Sequence, residues 1–211
     1  MPISHHLKAI FIHIPKNAGE SIEKAMGMYG GLPAETLGGR VENRFVLQHL
    51  TATELQDSGL VTQEIWRQYF KFAVVRNPWS KAVSEYNWYL RYGPSVSFNE
   101  WLDSVEHRIK INQSIHMKEI GHNIEQYKFV FDENGELLVD SLIRFESIET
   151  EFKELCRERG WNCHLTHEQA TKSKSDTPFR DYYDQDSAEK VAHIYRMDIE
   201  KLGYSIVETF S

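Results

Sequence analysis

Apolar positions along the chain fall into short β-branched and aromatic runs that alternate with stretches of helical period. Ala9-Ile-Phe-Ile-His-Ile14 is the first such run and Phe70-Lys-Phe-Ala-Val-Val75 a later one. Nearly continuous apolar runs of this length predict strands buried on both faces, as in a parallel sheet. Each run ends in a polar turn that opens a helix. Pro15-Lys-Asn-Ala-Gly-Glu-Ser21 does so after the first. Arg76-Asn-Pro-Trp-Ser-Lys-Ala-Val-Ser84 does so after the second, with Pro78 suited to the first turn of a helix continuing to about Leu90. Thr51-Ala-Thr-Glu54 and Ser97-Phe-Asn-Glu100 have the spacing of capping boxes. Asp132-Glu-Asn-Gly135 predicts a hairpin turn between Tyr127–Phe131 and Leu138–Phe145. Amphipathic helices are predicted over Glu149–Arg159, closed by Gly160, and over Ser187–Leu202, closed by Gly203. Residues Gly27 to Gly39 are glycine-rich and predict a mobile loop. The alternation predicts an α/β fold: a P-loop-like, mainly parallel sheet flanked by helices, a three-layer sandwich, with a mixed hairpin late in the chain. No repeat or dividing linker interrupts residues 1–211, so a single domain is expected.

The chemistry gathers where the two strands end. A helix start exposes unpaired backbone N–H groups and the positive end of the helix dipole, which together suit a phosphate or sulfate group. Lys16 adds a cation, Gly19 lets the backbone come close, and Ser21 adds a hydroxyl donor. The loop lacks the Gly-Lys-Ser/Thr triplet that holds a Mg²⁺–nucleotide, which points toward a metal-free anion-transfer site. Arg76 falls at the end of the second strand, and Ser80 and Ser84 lie on one helix face. A guanidinium and a hydroxyl so arranged grip one phosphate from two sides. Ligands of open α/β sheets sit at such strand ends, so one ligand bridging both loops is expected.

With these residues the chain resembles the sulfotransferase superfamily. Pro15-Lys-Asn-Ala-Gly-Glu-Ser21 is similar to the family's 5′-phosphosulfate loop. Arg76 and Ser84, eight positions apart, are similar to its 3′-phosphate motif. Ser84-Glu-Tyr-Asn87 resembles the continuation in uronyl 2-O- and related carbohydrate sulfotransferases, and Tyr182-Tyr183 with Val191–Tyr204 resembles the closing helix. The resemblance implies a cofactor, 3′-phosphoadenosine 5′-phosphosulfate (PAPS), and sulfuryl transfer to a hydroxyl or amine, a carbohydrate hydroxyl first among them. It implies that Lys16 stabilises the leaving phosphate and that Pro15, Asn17, Ala18, Gly19, Glu20 and Ser21 form the 5′-phosphate loop. It further implies that Arg76 and Ser84 hold the 3′-phosphate, and that Lys172, Ser173 and Lys174 belong to a loop closing over the nucleotide. A solvated charged loop is the other reading of Lys172–Lys174. Glu20 departs from the family pattern, where a small residue or Thr is usual, and is expected to point outward.

A base that removes the acceptor proton aids such a transfer. His49, in Val46-Leu-Gln-His-Leu50, follows an apolar run at another predicted strand end, and related enzymes carry a catalytic His in a comparable position. It is read either as the base or as a hydrogen-bonded residue packed beneath the loop. His13 lies inside the first strand and reads as structural. His116 and His122 fall in a polar segment that either lines the acceptor pocket or faces solvent, and Glu20 and Glu85 are weaker candidates. Trp79, Trp88 and Tyr89 read as a sugar-stacking floor or, at helical spacing, as core.

Bulk properties narrow the setting. Hydrophobic residues make up 41% and charged residues 26%, ordinary for a globular chain large enough for its own core. The net charge of −7 argues against binding nucleic acid or heavily sulfated polysaccharide over a broad surface. No apolar run reaches membrane-span length and the N-terminus has no signal-peptide pattern, so a cytosolic, microbial enzyme is expected rather than an excised Golgi-lumenal domain. Cys156 and Cys163 flank Gly160 without metal-ligand spacing and read as free thiols. Two other function classes compete. A P-loop kinase or nucleotide phosphohydrolase is disfavoured by the missing triplet. A catalytically inactive nucleotide-binding module is disfavoured by the intact Lys16, Arg76 and Ser84.

Overall fold

A computed structural model of the chain describes residues 3–28, 40–41, 45–111, 123–165 and 177–211. The elements run β1 (Ile3–Ser4), β2 (Ala9–Ile12), α1 (Gly19–Ala25), β3 (Arg40–Val41), β4 (Phe45–Val46), α2 (Ala52–Asp57), α3 (Gln63–Gln68), β5 (Phe70–Val75), α4 (Pro78–Tyr89), α5 (Phe98–Ile111), α6 (Tyr127–Val130), β6 (Ser141–Arg144), α7 (Ile148–Arg159), α8 (Gln185–Ile194), α9 (Arg196–Leu202) and α10 (Ile206–Phe210). The chain forms two compact units, one from Met1–Val75 with Lys128–Ala170 and one from Arg76–Tyr127 with Thr171–Ser211.

The first unit holds a four-stranded sheet in the order β1-β2-β5-β6. β1 runs antiparallel to β2, while β2 with β5 and β5 with β6 are parallel, in the register Ile12 to Ala73 and Val75 to Arg144. The result is the mostly parallel, helix-flanked α/β sheet that the apolar runs predict. β2 and β5 are apolar on both faces because both faces are buried. One face places Phe11, Phe72, Val74 and Ile143 against Ile22 of α1, Met26 just after it, and Phe152, Leu155 and Cys156 of α7. Phe11 and Phe72 meet with ring centroids 5.1 Å apart. Burying side chains of this size stabilises the fold by about 1.5–3 kcal/mol each. Lys71, the polar exception in β5, donates its ammonium to the carbonyls of Trp66 and Tyr69 and pairs with Asp140. Parallel pairing brings the C-terminal ends of β2 and β5 to one edge of the sheet. The chain leaves that edge into the Pro15 loop from β2 and into Arg76 from β5.

One expectation about this unit is corrected. The turn at Asp132–Gly135 forms, with Gly135 at a φ of 81°, but its first arm is the short helix α6, joined to the second arm only by a bridge between Phe131 and Leu137. β6 begins later, at Ser141, and pairs in parallel with β5. A neighbouring strand competes for its backbone groups better than a hairpin arm. The strand that precedes His49 is β4, which pairs with β3 in a separate two-stranded sheet and not in the main one.

The second unit is helical. Asn77 caps α4, its side chain accepting from the amides of Trp79 and Ser80, with Pro78 in the first turn. The core packs Trp79, Ala82, Val83 and Tyr86 of α4 against Phe98, Trp101 and Leu102 of α5 and against Ala188, Val191 and Tyr195. Trp79 donates its indole N–H to the Ala188 carbonyl at 2.9 Å, and Tyr86 donates to the Val96 carbonyl at 2.6 Å. The helix predicted over Ser187–Leu202 is broken into α8 and α9 at Tyr195, whose backbone lies at φ −107° and ψ 30°. Gly203 closes α9 in the left-handed region, as expected. Both predicted capping boxes are present, at Thr51–Glu54 and Ser97–Glu100.

Candidate active site

In the first unit, β2 hands the chain to a turn of unusual backbone geometry. Lys16 has a φ of 67° and Ala18 a φ of 59°, both left-handed, where a side chain costs energy. Left-handed residues thus stand on either side of Asn17. Asn17 is fully buried and donates its side-chain N–H to the Val74 carbonyl at 2.8 Å, tying the turn to the neighbouring strand. Ala18 serves as the N-cap of α1 and offers no side-chain acceptor to the first-turn amides. Its carbonyl accepts from the amides of Ser21 and Ile22. Pro15 and Gly19 are buried, Lys16 and Ser21 are half-buried, and Glu20 is exposed.

Beneath this turn lies a buried polar cluster. His13 Nδ1 lies 2.6 Å from Glu23 Oε1, and Glu23 is fully buried on α1. Gln48 Nε2 donates to both Glu23 oxygens at 3.0 Å. His49 Nδ1 sits 2.9 Å from the His13 carbonyl, which can only accept, so Nδ1 carries the proton and Nε2 is the basic nitrogen of the neutral ring. The two imidazoles meet edge to face at 4.4 Å. A Cβ on Gly19 would fall 1.9 Å from His13 Nε2. His49 is buried, and its tautomer is fixed by the backbone three positions before Lys16. His13 lies one position past β2, which ends at Ile12, and its ring is held by the buried Glu23. Glu23 and Gln48 escaped the sequence reading. The signal available for Glu23 was its place next to the buried Ile22 in the short helix α1.

In the second unit, Arg76 stands between the end of β5 and the start of α4. Its amide donates to Gln126 Oε1 at 2.8 Å, and its carbonyl accepts from Gln126 Nε2 at 2.7 Å. Its Nε–H donates to Ser80 Oγ at 2.9 Å. Ser80 thus orients the guanidinium, while Ser84, one turn further on, is half-buried. The carboxylate of Asp198 accepts from the amides of Gln126 and Tyr127 at 2.9 and 2.8 Å. Burial pushes the Asp198 carboxyl up to about 6, although those two amides and the Lys81 ammonium favour its charged form. Lys81 also pairs with Glu85 at 3.4 Å, both buried on α4.

Other candidates divide plainly. Trp79 is core, fully buried, whereas Trp88 is exposed. Lys172, Ser173, Lys174, His116 and His122, and the glycine-rich loop from position 29 onward, lie outside the described residues. Both cysteines are free and buried, and burial pushes the Cys156 thiol up to about 12. Among the described residues no three His, Cys, Asp or Glu side chains gather as a metal site. No described helix is long and apolar enough to cross a membrane.

Comparison with known proteins agrees with this geometry. The family model described as "Sulfotransferase family" matches residues 1–205. No curated protein and no solved structure matches the chain. A strained strand-to-helix turn bearing Lys16 and a braced Arg76, within a match over nearly the whole length, place the chain in the sulfotransferase family, enzymes that transfer sulfuryl groups.

Proposed function

We propose that this sulfotransferase takes the sulfuryl group of PAPS and passes it, without a metal, to a hydroxyl group, that of a carbohydrate in the first instance. The observation that carries the reading is the pair of left-handed residues, Lys16 and Ala18, in the turn from a central strand into α1. Strain at two non-glycine positions persists only where the surrounding structure demands it, and such positions cluster at ligand-holding sites.

The donor set fits a nucleotide with phosphate at both ends. In the first unit the amides of Asn17 to Glu20, the Ser21 hydroxyl and the Lys16 ammonium suit a phosphosulfate, with Pro15 stiffening the entry and the Glu20 carboxylate exposed rather than turned inward. In the second unit the Arg76 guanidinium and the Ser84 hydroxyl suit a 3′-phosphate. When bound, PAPS supplies an electrophilic sulfuryl group on a phosphate leaving group. Lys16 then meets the negative charge that accumulates on the leaving oxygen. The loop amides of the first unit hold the phosphosulfate so that attack is in line. His49 Nε2 accepts the proton of the acceptor hydroxyl. Lys172 and Lys174 would add cations and Ser173 a hydroxyl donor toward the nucleotide.

Calorimetry with 3′-phosphoadenosine 5′-phosphate and adenosine 5′-phosphate, in the presence of a chelator, tests the donor. The 3′-phosphate should tighten binding markedly; equal affinity would remove the sulfonucleotide reading. Labelled-sulfate transfer across sugars, phenols and amines then tests the acceptor, with sugars expected to be modified. Transfer only to phenols or amines would overturn the carbohydrate assignment.

A further inference from the structure

We infer that Gln126 and Asp198 are positioning residues for Arg76. The buried Asp198 carboxylate fixes the backbone of Gln126, and the Gln126 side chain fixes the backbone of Arg76 at the strand-to-helix turn. The inference rests on the reading of Arg76 as the residue that holds the 3′-phosphate.

The geometry is that of a clamp. Both ends of the Gln126 amide are used on one residue, Oε1 accepting from the Arg76 amide at 2.8 Å and Nε2 donating to the Arg76 carbonyl at 2.7 Å. A side chain here reproduces the paired bonds that a neighbouring strand gives a sheet residue. It does so where the ladder has ended, since β5 stops at Val75 and α4 begins at Pro78. Asp198 holds Gln126 in turn, one carboxylate oxygen on the Gln126 amide and the other on that of Tyr127. Gln126 and Asp198 are both fully buried, so water cannot substitute for the bonds they make. Ser80 completes the bracing from the side-chain end by accepting from Arg76 Nε. The guanidinium is therefore fixed at its backbone and at its inner nitrogen.

Such bracing matters because a rigid planar fork recognises phosphate by geometry as much as by charge. An arginine on an unclamped turn would have to be ordered by its ligand, and that ordering would be subtracted from affinity. Gln126 and Asp198 are separated from Arg76 by 50 and 122 positions in the chain, and neither carries a group that meets an anion. Their effect on the 3′-phosphate comes only through Arg76.

The test compares the affinities of 3′-phosphoadenosine 5′-phosphate and adenosine 5′-phosphate for the full chain, for Arg76→Ala and for Gln126→Met. The ratio of the two affinities isolates the 3′-phosphate. A loss of folded protein lowers both affinities together and leaves the ratio unchanged. Gln126→Met should cut the ratio by roughly tenfold, the size seen when an outer hydrogen-bond partner is removed at other preorganised sites. If the native chain has no preference, or Arg76→Ala leaves it intact, the phosphate reading of Arg76 fails and the inference falls with it. If Arg76→Ala abolishes the preference while Gln126→Met retains it, the reading stands and the inference alone is overturned. Should Gln126→Met not fold, Gln126→Glu replaces it, keeping the acceptor for the Arg76 amide and setting an oxygen against the Arg76 carbonyl. A reduced ratio in that variant supports the clamp; an unchanged ratio, or failure of both variants to fold, overturns it.

Discussion

The imidazole of His13 occupies the space into which any side chain on Gly19 would project, with Nε2 only 1.9 Å from the position of the missing Cβ. A glycine in an anion-binding turn is usually understood as leaving room for the anion. Here a protein side chain needs that room. His13 is itself held by the buried Glu23, so the ring cannot swing aside without breaking that contact. Loop, strand and helix α1 are thus locked together at one point.

Gly19→Ala should destabilise the chain by about 1–3 kcal/mol, the range for overpacking a well-filled interior. Urea unfolding gives the value. In a His13→Ala background the same substitution should cost less, because the two changes share one space and their effects cannot add. Equal costs in both backgrounds would mean that the contact carries no energy.

Lys16→Ala should lower turnover at saturation by at least about a hundredfold while weakening nucleotide binding far less. On the proposed reading the ammonium meets charge that builds on the leaving oxygen, so its contact strengthens as the reaction proceeds. Steady-state rates set beside calorimetry separate the two effects. Weakened binding with unchanged turnover would make Lys16 a docking residue only.

The thiols should be inert in the folded chain. Burial raises the Cys156 thiol to about 12, so almost no thiolate exists at pH 8. Alkylation at pH 8 should be slow in the native protein and fast in urea. Rapid labelling of Cys156 without denaturant would contradict its burial.

The elements that could be read from the sequence are those whose reasons are local. Phe70–Val75 is apolar at successive positions because both faces of β5 are covered, and the capping boxes at Thr51 and Ser97 are complete within four residues. The arm at Tyr127–Val130 and the break at Tyr195 were not readable, because tertiary partners decide them. The amide of Tyr127 is drawn to Asp198, and Tyr195 is almost fully buried with its hydroxyl near the Asn123 carbonyl. The same holds at the site. Lys16, Arg76 and Ser84 announce themselves by residue type after a strand. Gln126, Asp198 and Glu23 look like ordinary polar surface until the fold buries them, and Gln48 until the fold sets it against Glu23.

Asp198 should give stability a distinctive pH dependence. Burial raises its carboxyl from an ordinary 3.8 to about 6, so the folded state holds this proton more tightly than the unfolded chain. Stability from this group is therefore fully present below about pH 4 and declines as pH rises toward 6. The loss at neutral pH is about 3 kcal/mol. Asp198→Asn cannot titrate and should lack this decline. Urea midpoints for both proteins at several values between pH 4 and 7 check it: the difference between the curves should change across the window. Parallel curves would mean that the carboxylate is no costlier to ionise in the fold than in the open chain.

His49 poses the sharpest test, because the same contacts permit two roles. Its Nδ1–H donates to the His13 carbonyl, in the turn that carries Lys16, so the ring braces that turn. The same bond leaves Nε2 as the basic nitrogen, the form that a proton acceptor needs. Two substitutions separate the roles. His49→Asn can keep an N–H directed at the His13 carbonyl but has no nitrogen able to take a proton. His49→Ala loses both. If His49 is the base, both variants should lose about a hundredfold or more in transfer rate while nucleotide affinity stays near normal, since the amides and cations that hold the phosphates are untouched. The activity of the unaltered enzyme should also rise with pH as the ring becomes neutral, because a protonated imidazole cannot accept the acceptor's proton. Should His49→Asn restore transfer that His49→Ala has lost, the ring is a brace, and the base must be sought elsewhere, among Glu20, Glu85, His116 and His122.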